Sequence, residues 1–384
     1  MKKIVLSGKG IIIGSGSLEY LRQLTCHNVF LVTGGSSMLR TGVIDRAKSM
    51  LEETGISCTV YSGIGKNPTF EEVFSGVKKM RIVQPDAIIA IGGGSAMDAA
   101  KGMLLFYEFS FLTAENVLEM NASGKIPTER KTQLICVSST SGTASEVTRG
   151  TVLTDTALRR KIPIMTDCLR PDLAILDAEL TMTMPDSVTA ETGLDALTHA
   201  IEAYTNHNLD DFDEGLCKSA IEGILEWLPI SFHAHTLESR EKMHHYQAMA
   251  GIGFANVGLG MVHGIAHAFG AVFDMAHGLT NAVILPYVLR FNCRNVTVRE
   301  KIEKLSYHCH NEDLITAIDN MRADFGIPSC FADAGITEMQ FQKNFDLLLE
   351  NSMLGATKVN PVPVTKKIME QMLNAVYYGK GIDF

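Results

Sequence analysis

Five acidic or imidazole side chains lie at spacings that suit a metal site. Asp195 and His199 are four residues apart, and His263 and His267 repeat that spacing. Residues four apart share one face of a helix, so each pair directs its side chains to the same side. His277 follows ten residues after His267, which gives the chain room to turn back. A ligand set of imidazoles and a carboxylate, with no sulfur ligand, suits a catalytic divalent metal such as Fe²⁺ or Zn²⁺. The alternative is that each histidine is a hydrogen-bonded core residue.

The other histidines and the cysteines are not expected to hold this metal. The eight cysteines stand singly with no CxxC pair, which favours reduced cytosolic thiols over a zinc knuckle or a disulfide framework. The remaining histidines have polar neighbours, so we expect them on the solvated surface. They are His27, His207, His233, His235, His244, His245, His308 and His310.

A glycine-rich turn from Gly92 to Ser95 lies between a predicted strand and a predicted helix. Glycines let the backbone approach a pyrophosphate closely, and the helix N-terminus directs free N–H groups at the anion. Met97 stands where the dinucleotide fingerprint GxGxxG has its third glycine, so this is not an ordinary Rossmann unit. The alternative is a turn that only ends the strand tightly.

A second turn, rich in serine and threonine, spans residues 138–146 and also follows a predicted strand. Its hydroxyl and N–H groups suit a ribose, a phosphate or the amide of a nicotinamide ring. The alternative is a helix cap, with Thr143 or Ser145 capping the next element.

Apolar runs that alternate with helical patterns predict an α/β first half. Such strands, apolar on both faces, are typical of a parallel sheet covered by helices. The predicted strands are 28–33, 57–61, 86–91 and 133–138, and the predicted helices between them include 39–54 and 70–83. After residue 180 the predicted helices are 188–206, with Asp186 as its cap, 214–227, 239–258, 298–306 and 312–325. The sequence therefore predicts an α/β nucleotide-binding domain with a parallel sheet over 1–180 and an all-α metal-binding domain over 181–384.

Composition excludes several classes of protein. A net charge of −9 argues against a nucleic-acid-binding protein, which needs a basic surface. The N-terminus lacks the apolar region of a signal peptide, and the longest apolar stretch, Met249–Val262, is shorter than the ~20 residues of a membrane span. We expect this stretch to be one buried helix in a cytoplasmic protein that binds no membrane. The 46% hydrophobic content suits a homodimer or larger homo-oligomer.

These motifs, in this order along nearly the whole chain, resemble the iron-containing (group III) alcohol dehydrogenase family. They lie at 12–18, 92–101, 146–148, 174–181, 193–203 and 263–281. The resemblance implies a dehydroquinate synthase-like architecture with the active site in the cleft between its two domains. It implies that Asp195, His199, His263 and His277 hold the metal, Fe²⁺ or Zn²⁺. His267 then lies near the nicotinamide and the substrate, as the candidate for proton relay.

The resemblance also implies which residues bind NAD or NADP. The pyrophosphate turn maps to Gly93, Gly94, Ser95 and Asp98, the nicotinamide-side turn to Ser139, Thr140 and Ser145, and Lys161 lies near the position of a ribose-side lysine. Many NAD-preferring relatives carry an Asp after the first strand of the nucleotide fold, and here that position is Gly34. Ser36 and Ser37 follow it and can donate hydrogen bonds to a 2′-phosphate, with Arg40 adding charge. We therefore expect NADP(H) to be accepted.

The expected function is hydride transfer between a nicotinamide and a small alcohol or aldehyde, with a metal polarising the substrate oxygen. The alternative is a non-redox metal- and NAD-dependent lyase of the dehydroquinate synthase type, which carries more basic residues for its substrate. Segments 251–254 and 269–273 are expected to form a small apolar substrate pocket.

Overall fold

Runs rich in apolar and β-branched residues in the first half of the chain form the strands of one parallel sheet. The computed structural model describes residues 3–306 and 313–383. Within it the chain divides into two units, Met1–Met184 and Pro185–Phe384. The predicted boundary after residue 180 falls inside a short 3₁₀ turn, Ala178–Thr181, near the end of the first unit.

The sheet of the first unit has six parallel strands among the described residues. They are β1 Gly10–Ile13, β2 Asn28–Gly34, β3 Ser57–Ile64, β4 Ala87–Gly92, β5 Gln133–Ser138 and, after the two strands of a separate hairpin, β8 Leu173–Leu176. Their order across the sheet is β1-β8-β5-β4-β2-β3. Phe30 and Val32 pack into a core on one face, and Val29 and Leu31 pack into a core on the other. Both faces of β2 are buried, as the apolar run predicts.

Helices cover the sheet, and the first unit also contains a separate antiparallel β-hairpin. The helices are α1 Ser37–Arg40, α2 Val43–Glu53, α3 Phe70–Val83, α4 Gly94–Glu108 and α5 Val117–Ala122, and the hairpin pairs β6 Gly150–Asp155 with β7 Arg160–Met165. The single helix predicted over 39–54 is wrong, because Gly42 takes a left-handed conformation with φ of 73° and separates α1 from α2. The hairpin was not predicted.

The second unit is helical, and no strand occurs among its described residues. Its helices are α6 Asp186–Thr205, α7 Asp211–His233, α8 Leu237–Val257, α9 Met261–Phe273, α10 His277–Asn292, α11 Val296–Ser306, α12 Leu314–Asp324, α13 Glu338–Lys343, α14 Phe345–Ser352 and α15 Lys366–Tyr378. Pro185 holds the N-cap position of α6, so the prediction that Asp186 is the cap was wrong by one residue. A proline suits that position because it has no N–H to satisfy.

The apolar stretch Met249–Val262 is broken instead of forming one helix. Gly258 has φ of 105°, and α8 and α9 meet at an angle of 103°. The Asn206 side chain fixes the break by donating a hydrogen bond to the Leu259 carbonyl at 3.0 Å. Among the residues described, no single helix has the length and apolar character to cross a membrane, although the bent pair α8 and α9 together does by length and composition.

Candidate metal centre and cofactor turns

One carboxylate and three imidazoles converge inside the second unit. Asp195 and His199 lie on α6, His263 on the first turn of α9, and His277 begins α10. One ligand atom from each lies within 4.8 Å of all the others. The Asp195 Oδ1 atom is 4.0 Å from His199 Nε2, 3.9 Å from His263 Nε2 and 3.8 Å from His277 Nε2. Three of the four residues are buried, and His277 is half-buried.

Local backbone geometry brings α10 against α6. A Cβ built on Gly278 would lie 2.3 Å from the Glu191 carbonyl oxygen, so only a glycine permits this approach. His277, the neighbouring residue, is thereby placed beside Asp195. The i,i+4 spacing predicted that Asp195 and His199 share a face, and the structure shows them on the same side of α6.

The donor atoms fit a divalent metal such as Fe²⁺ or Zn²⁺. Metal–ligand bonds of about 2.1 Å in a tetrahedron separate donor atoms by about 3.4 Å. The three distances from Asp195 Oδ1 exceed this value by about 0.5 Å, and all four donor atoms lie within 4.8 Å of one another, so the side chains must draw together to bind a metal. Asn281 Nδ2 lies among these donors, 2.6 Å from Asp195 Oδ1, 3.1 Å from His263 Nε2 and 3.2 Å from His277 Nε2. The Asn281 amide nitrogen, whose hydrogens carry partial positive charge, thus lies close to three of the four donor atoms.

Two of the imidazoles are held by different contacts. His199 stacks between Phe254, at a centroid distance of 4.4 Å, and the ring of His263, at 4.6 Å. The Nδ1 atom of His263 lies 2.6 Å from Glu202 Oε2. Burial raises the pKa of Glu202 to about 7, while the backbone N–H groups of the first turn of α9 act to lower it.

His267 lies beside the four-donor cluster but outside it. It follows His263 by one turn of α9, and its ring stacks on His277 at a centroid distance of 5.2 Å. It is partly exposed. His267 is not among the four residues whose donor atoms converge, and the predicted division, in which His267 does not reach the same metal as His263, stays a prediction.

In the first unit, the carboxyl ends of three neighbouring strands bring the predicted cofactor residues together. Gly34 ends β2, Gly92 ends β4 and Ser138 ends β5, and β4 lies between β2 and β5. Ligands of open parallel sheets bind at this edge. Gly35, Ser36 and Ser37 are exposed just beyond β2.

The glycine turn and the serine/threonine turn pack against each other. Gly93 is the N-cap of α4, and a Cβ there would lie 3.3 Å from Thr140 side-chain atoms. A Cβ on Gly94 would lie 2.7 Å from those of Thr143. Side chains larger than hydrogen at Gly94 therefore displace Thr143. Ser95 donates its hydroxyl hydrogen to the Lys66 carbonyl.

Several of the predicted cofactor residues also have internal partners. Asp98 accepts hydrogen bonds from the Ser145 hydroxyl at 2.9 Å and from the Val152 N–H at 3.0 Å. The Ser139 N–H donates to the Gly92 carbonyl at 2.9 Å. Burial raises the pKa of the Asp98 carboxyl, and the positive charge of Lys161, on β7, is among the smaller effects that act to lower it. Their contacts with a cofactor stay predictions.

A buried lysine fixes the second turn. Lys101 is fully buried, and its Nζ donates hydrogen bonds to the carbonyls of Ser145 at 2.6 Å, Thr148 at 3.0 Å and Gly150 at 2.9 Å. The strand β6 follows this turn, so the alternative that Thr143 or Ser145 caps a helix is wrong.

The sequence did not reveal Glu202, Asn281 or Lys101 as part of these sites. Glu202 lies three residues after His199 and Asn281 four after His277, so helical spacing was the available signal. The prediction that His244 is on the surface was wrong, since it is fully buried on α8. His308 and His310 lie outside the described residues.

The predicted pocket wall is divided between the site and the core. Phe254 contacts His199, as described above, whereas Phe269 is fully buried and stacks on Phe331 at a centroid distance of 3.8 Å. Phe269 therefore belongs to the core of the second unit.

Comparison with known proteins shows which protein family the chain matches. The family model for iron-containing alcohol dehydrogenases matches residues 8–178, and that for the C-terminal part of Fe-containing alcohol dehydrogenases matches residues 189–377. The chain belongs to the iron-containing alcohol dehydrogenase family. The family shares the parallel-sheet and helical units seen here, in agreement with the predicted fold class.

Known alcohol dehydrogenases are similar to this chain over most of its length. An NADPH-dependent butanol dehydrogenase from Clostridium saccharobutylicum is 39% identical over 386 residues, covering 98% of each chain. A 1-propanol dehydrogenase from Citrobacter freundii is 34% identical, and the alignment covers 84% of this chain and 85% of that protein. The structure of an iron-containing alcohol dehydrogenase from Thermococcus thioreducens has a TM-score of 0.89 at 30% identity, covering 98% of this chain and 100% of its own.

Proposed function

We propose that this protein is a metal-dependent, NAD(P)-linked alcohol dehydrogenase and aldehyde reductase for small alcohols and aldehydes. The observation that carries the proposal is the buried convergence of Asp195, His199, His263 and His277 within 4.8 Å. An anionic carboxylate and neutral imidazoles bind a divalent cation without neutralising all of its charge. The family membership and the alcohol dehydrogenases among the relatives support the same reaction class.

The side chains have separate tasks in this reaction. When bound, the metal supplies Lewis acidity toward the substrate oxygen, and the nicotinamide carries the hydride. Asp195 supplies the negative charge among the four ligands, and half-buried His277 forms the accessible side of the cluster. His267 moves the proton, because its imidazole is adjacent to His277 and partly exposed, and imidazole titrates near neutral pH.

NADP(H) is the cofactor we propose to be accepted. A carboxylate at the end of β2 would repel a 2′-phosphate, and Gly34 carries none. The exposed Ser36 and Ser37 hydroxyls can donate to phosphate oxygens, and exposed Arg40 adds a positive charge. The similar butanol dehydrogenase described above is NADPH-dependent, which supports this choice.

The test is reduction of a panel of short aldehydes, beginning with butanal, by protein reconstituted anaerobically with Fe²⁺. We expect the absorbance of NADPH to fall in the presence of aldehyde and metal, and not after chelation. Absence of cofactor oxidation with every aldehyde and both cofactors, in a preparation shown to contain metal, would refute the proposal. That result would favour the lyase alternative, in which NAD is used transiently without net turnover.

Assembly as a homodimer or larger oligomer stays a prediction, which light scattering would check.

A further inference from the structure

Glu202 lies on the same face of α6 as two of the metal ligands. Asp195, His199 and Glu202 follow one another at intervals of four and three residues. Glu202 is only 5% exposed and His263 only 1%. Its carboxylate faces the N-terminus of α9, where His263 lies. A buried carboxylate of this kind is retained at a cost unless its oxygens have partners.

Both oxygens of this carboxylate have partners on α9. Oε1 accepts the Val262 N–H at 2.7 Å, and Oε2 lies 2.6 Å from His263 Nδ1. The helix N-terminus favours an anion, since its first N–H groups have no partner within the helix. A Cβ on Gly260 would lie 2.8 Å from Glu202 Oε1, so the residue before α9 leaves space for this contact.

We propose that Glu202 is a positioning residue for the metal. By accepting a hydrogen bond from His263 Nδ1–H, it fixes the tautomer whose Nε2 lone pair points toward Asp195 and the other imidazoles. This role rests on the proposed function only in that the cluster binds a divalent metal. Carboxylate partners of metal-bound histidines set ring orientation and raise ligand basicity.

The pairing of Oε1 with Val262 makes one substitution informative. In Glu202→Gln, an amide that keeps its oxygen on the Val262 N–H turns its NH₂ group toward His263 Nδ1. That NH₂ group donates, so it favours the tautomer that carries the proton on Nε2. His263 then has no lone pair for the metal. The alternative amide orientation loses the contact with Val262 instead.

The experiment measures the Zn²⁺ and Co²⁺ dissociation constants of the apoprotein by chelator competition. We expect Glu202→Gln to weaken both by about 10- to 100-fold, the usual cost of losing an outer carboxylate partner. Glu226→Gln is the matched control, because Glu226 is exposed on α7 in the same unit and the substitution removes the same charge. Its dissociation constants should equal those of the wild type. Glu202→Asp keeps the charge but shortens the side chain, and we expect an intermediate loss.

Two further readouts separate positioning from a purely structural role. If Glu202 only caps α9, Glu202→Gln lowers the apoprotein melting temperature but leaves the metal dissociation constants and the visible Co²⁺ spectrum unchanged, and the proposal is overturned. If Glu202→Gln does not fold, an unchanged dissociation constant in Glu202→Asp overturns it. Weaker metal binding in the variants, together with no aldehyde reduction by the metal-loaded wild type, would leave this role intact and refute the proposed function alone.

Discussion

Replacing Gly34 by aspartate should shift the cofactor preference from NADPH, which we propose is accepted, toward NADH. The side chain fits, because a Cβ on Gly34 would lie 3.5 Å from the Ile64 carbonyl and 3.6 Å from the Ala96 Cβ, both ordinary contacts. The Gly34 backbone is not in the left-handed region, so aspartate adopts it without strain. The new carboxylate then stands at the end of β2, where the 2′-group of the adenosine ribose is expected.

The size of the effect follows from Coulomb's law. Two unit negative charges about 5 Å apart repel by about 3 kcal/mol at an effective dielectric constant of 20, and by about 1 kcal/mol in bulk water. Gly34 is half-buried and its neighbours Gly35 and Ser36 are exposed, so the value lies between these limits. We expect kcat/KM for NADPH to fall by about tenfold to a hundredfold. That for NADH should rise, since the carboxylate can accept a hydrogen bond from the 2′-hydroxyl.

Steady-state kinetics with butanal and each cofactor measure the ratio of the two kcat/KM values. Gly215→Asp is the matched control, since Gly215 is exposed on α7 with open space around its Cβ position and lies in the other unit. It should leave the ratio unchanged. A wild type that strongly prefers NADH, or a Gly34→Asp variant with an unaltered ratio, would show that the residue at the end of β2 does not determine which 2′-group is bound.

Other predictions concern the ligands, a buried cation and a thiol. His263→Ala and His277→Ala should each lose bound metal and activity together, whereas His267→Ala should keep the metal and turn over slowly; equal metal loss in all three, measured by atomic absorption, would contradict the division of roles. Lys101→Met leaves two buried carbonyls and one partly buried carbonyl without their donor, so we expect the free energy of unfolding to fall by about 2 to 4 kcal/mol. An unchanged denaturant midpoint would be inconsistent with this. Burial raises the pKa of the Cys58 thiol from 9.0 to about 11, which lowers its thiolate fraction at pH 8. Alkylation of Cys58 at pH 8 should therefore be about 100-fold slower than that of a free thiol, and it should accelerate as the pH rises toward 11. Alkylation at the free-thiol rate at pH 8 would refute the shift.

The sequence predicted those features that depend on local pattern. The predicted strand 86–91 is apolar from Ala87 onward, and β4, which begins at Ala87, is buried at every position. The spacing of Asp195 and His199 predicted that both side chains lie on one face of α6, because i,i+4 geometry is a property of one helix. Their role as metal ligands stays a prediction. The order of motifs then indicated the family to which the chain belongs.

The sequence did not predict features that depend on contacts between elements. The β6–β7 hairpin carries charged residues and Pro163 on a half-buried pair of strands, so its apolar pattern is weak. The helix break at Gly258 could not be recognised within an apolar helical run, because it depends on the hydrogen bond that the Asn206 side chain donates to the Leu259 carbonyl. Glu202 gains its role only when α9 docks onto α6, which spacing along one helix does not report.

The interlocked turns of the first unit have a thermodynamic consequence. Lys101 and the close approach of Gly94 to Thr143 order this surface during folding, so its conformational entropy is lost before any ligand arrives. A nucleotide that binds there only in the folded state, at free concentration L, raises stability by RT ln(1 + L/Kd), and its Kd is lower when little interaction free energy is consumed in ordering the chain. Cofactor affinity and the thermal stability of this unit are thereby linked quantities, and a change that loosens the turns reduces both together.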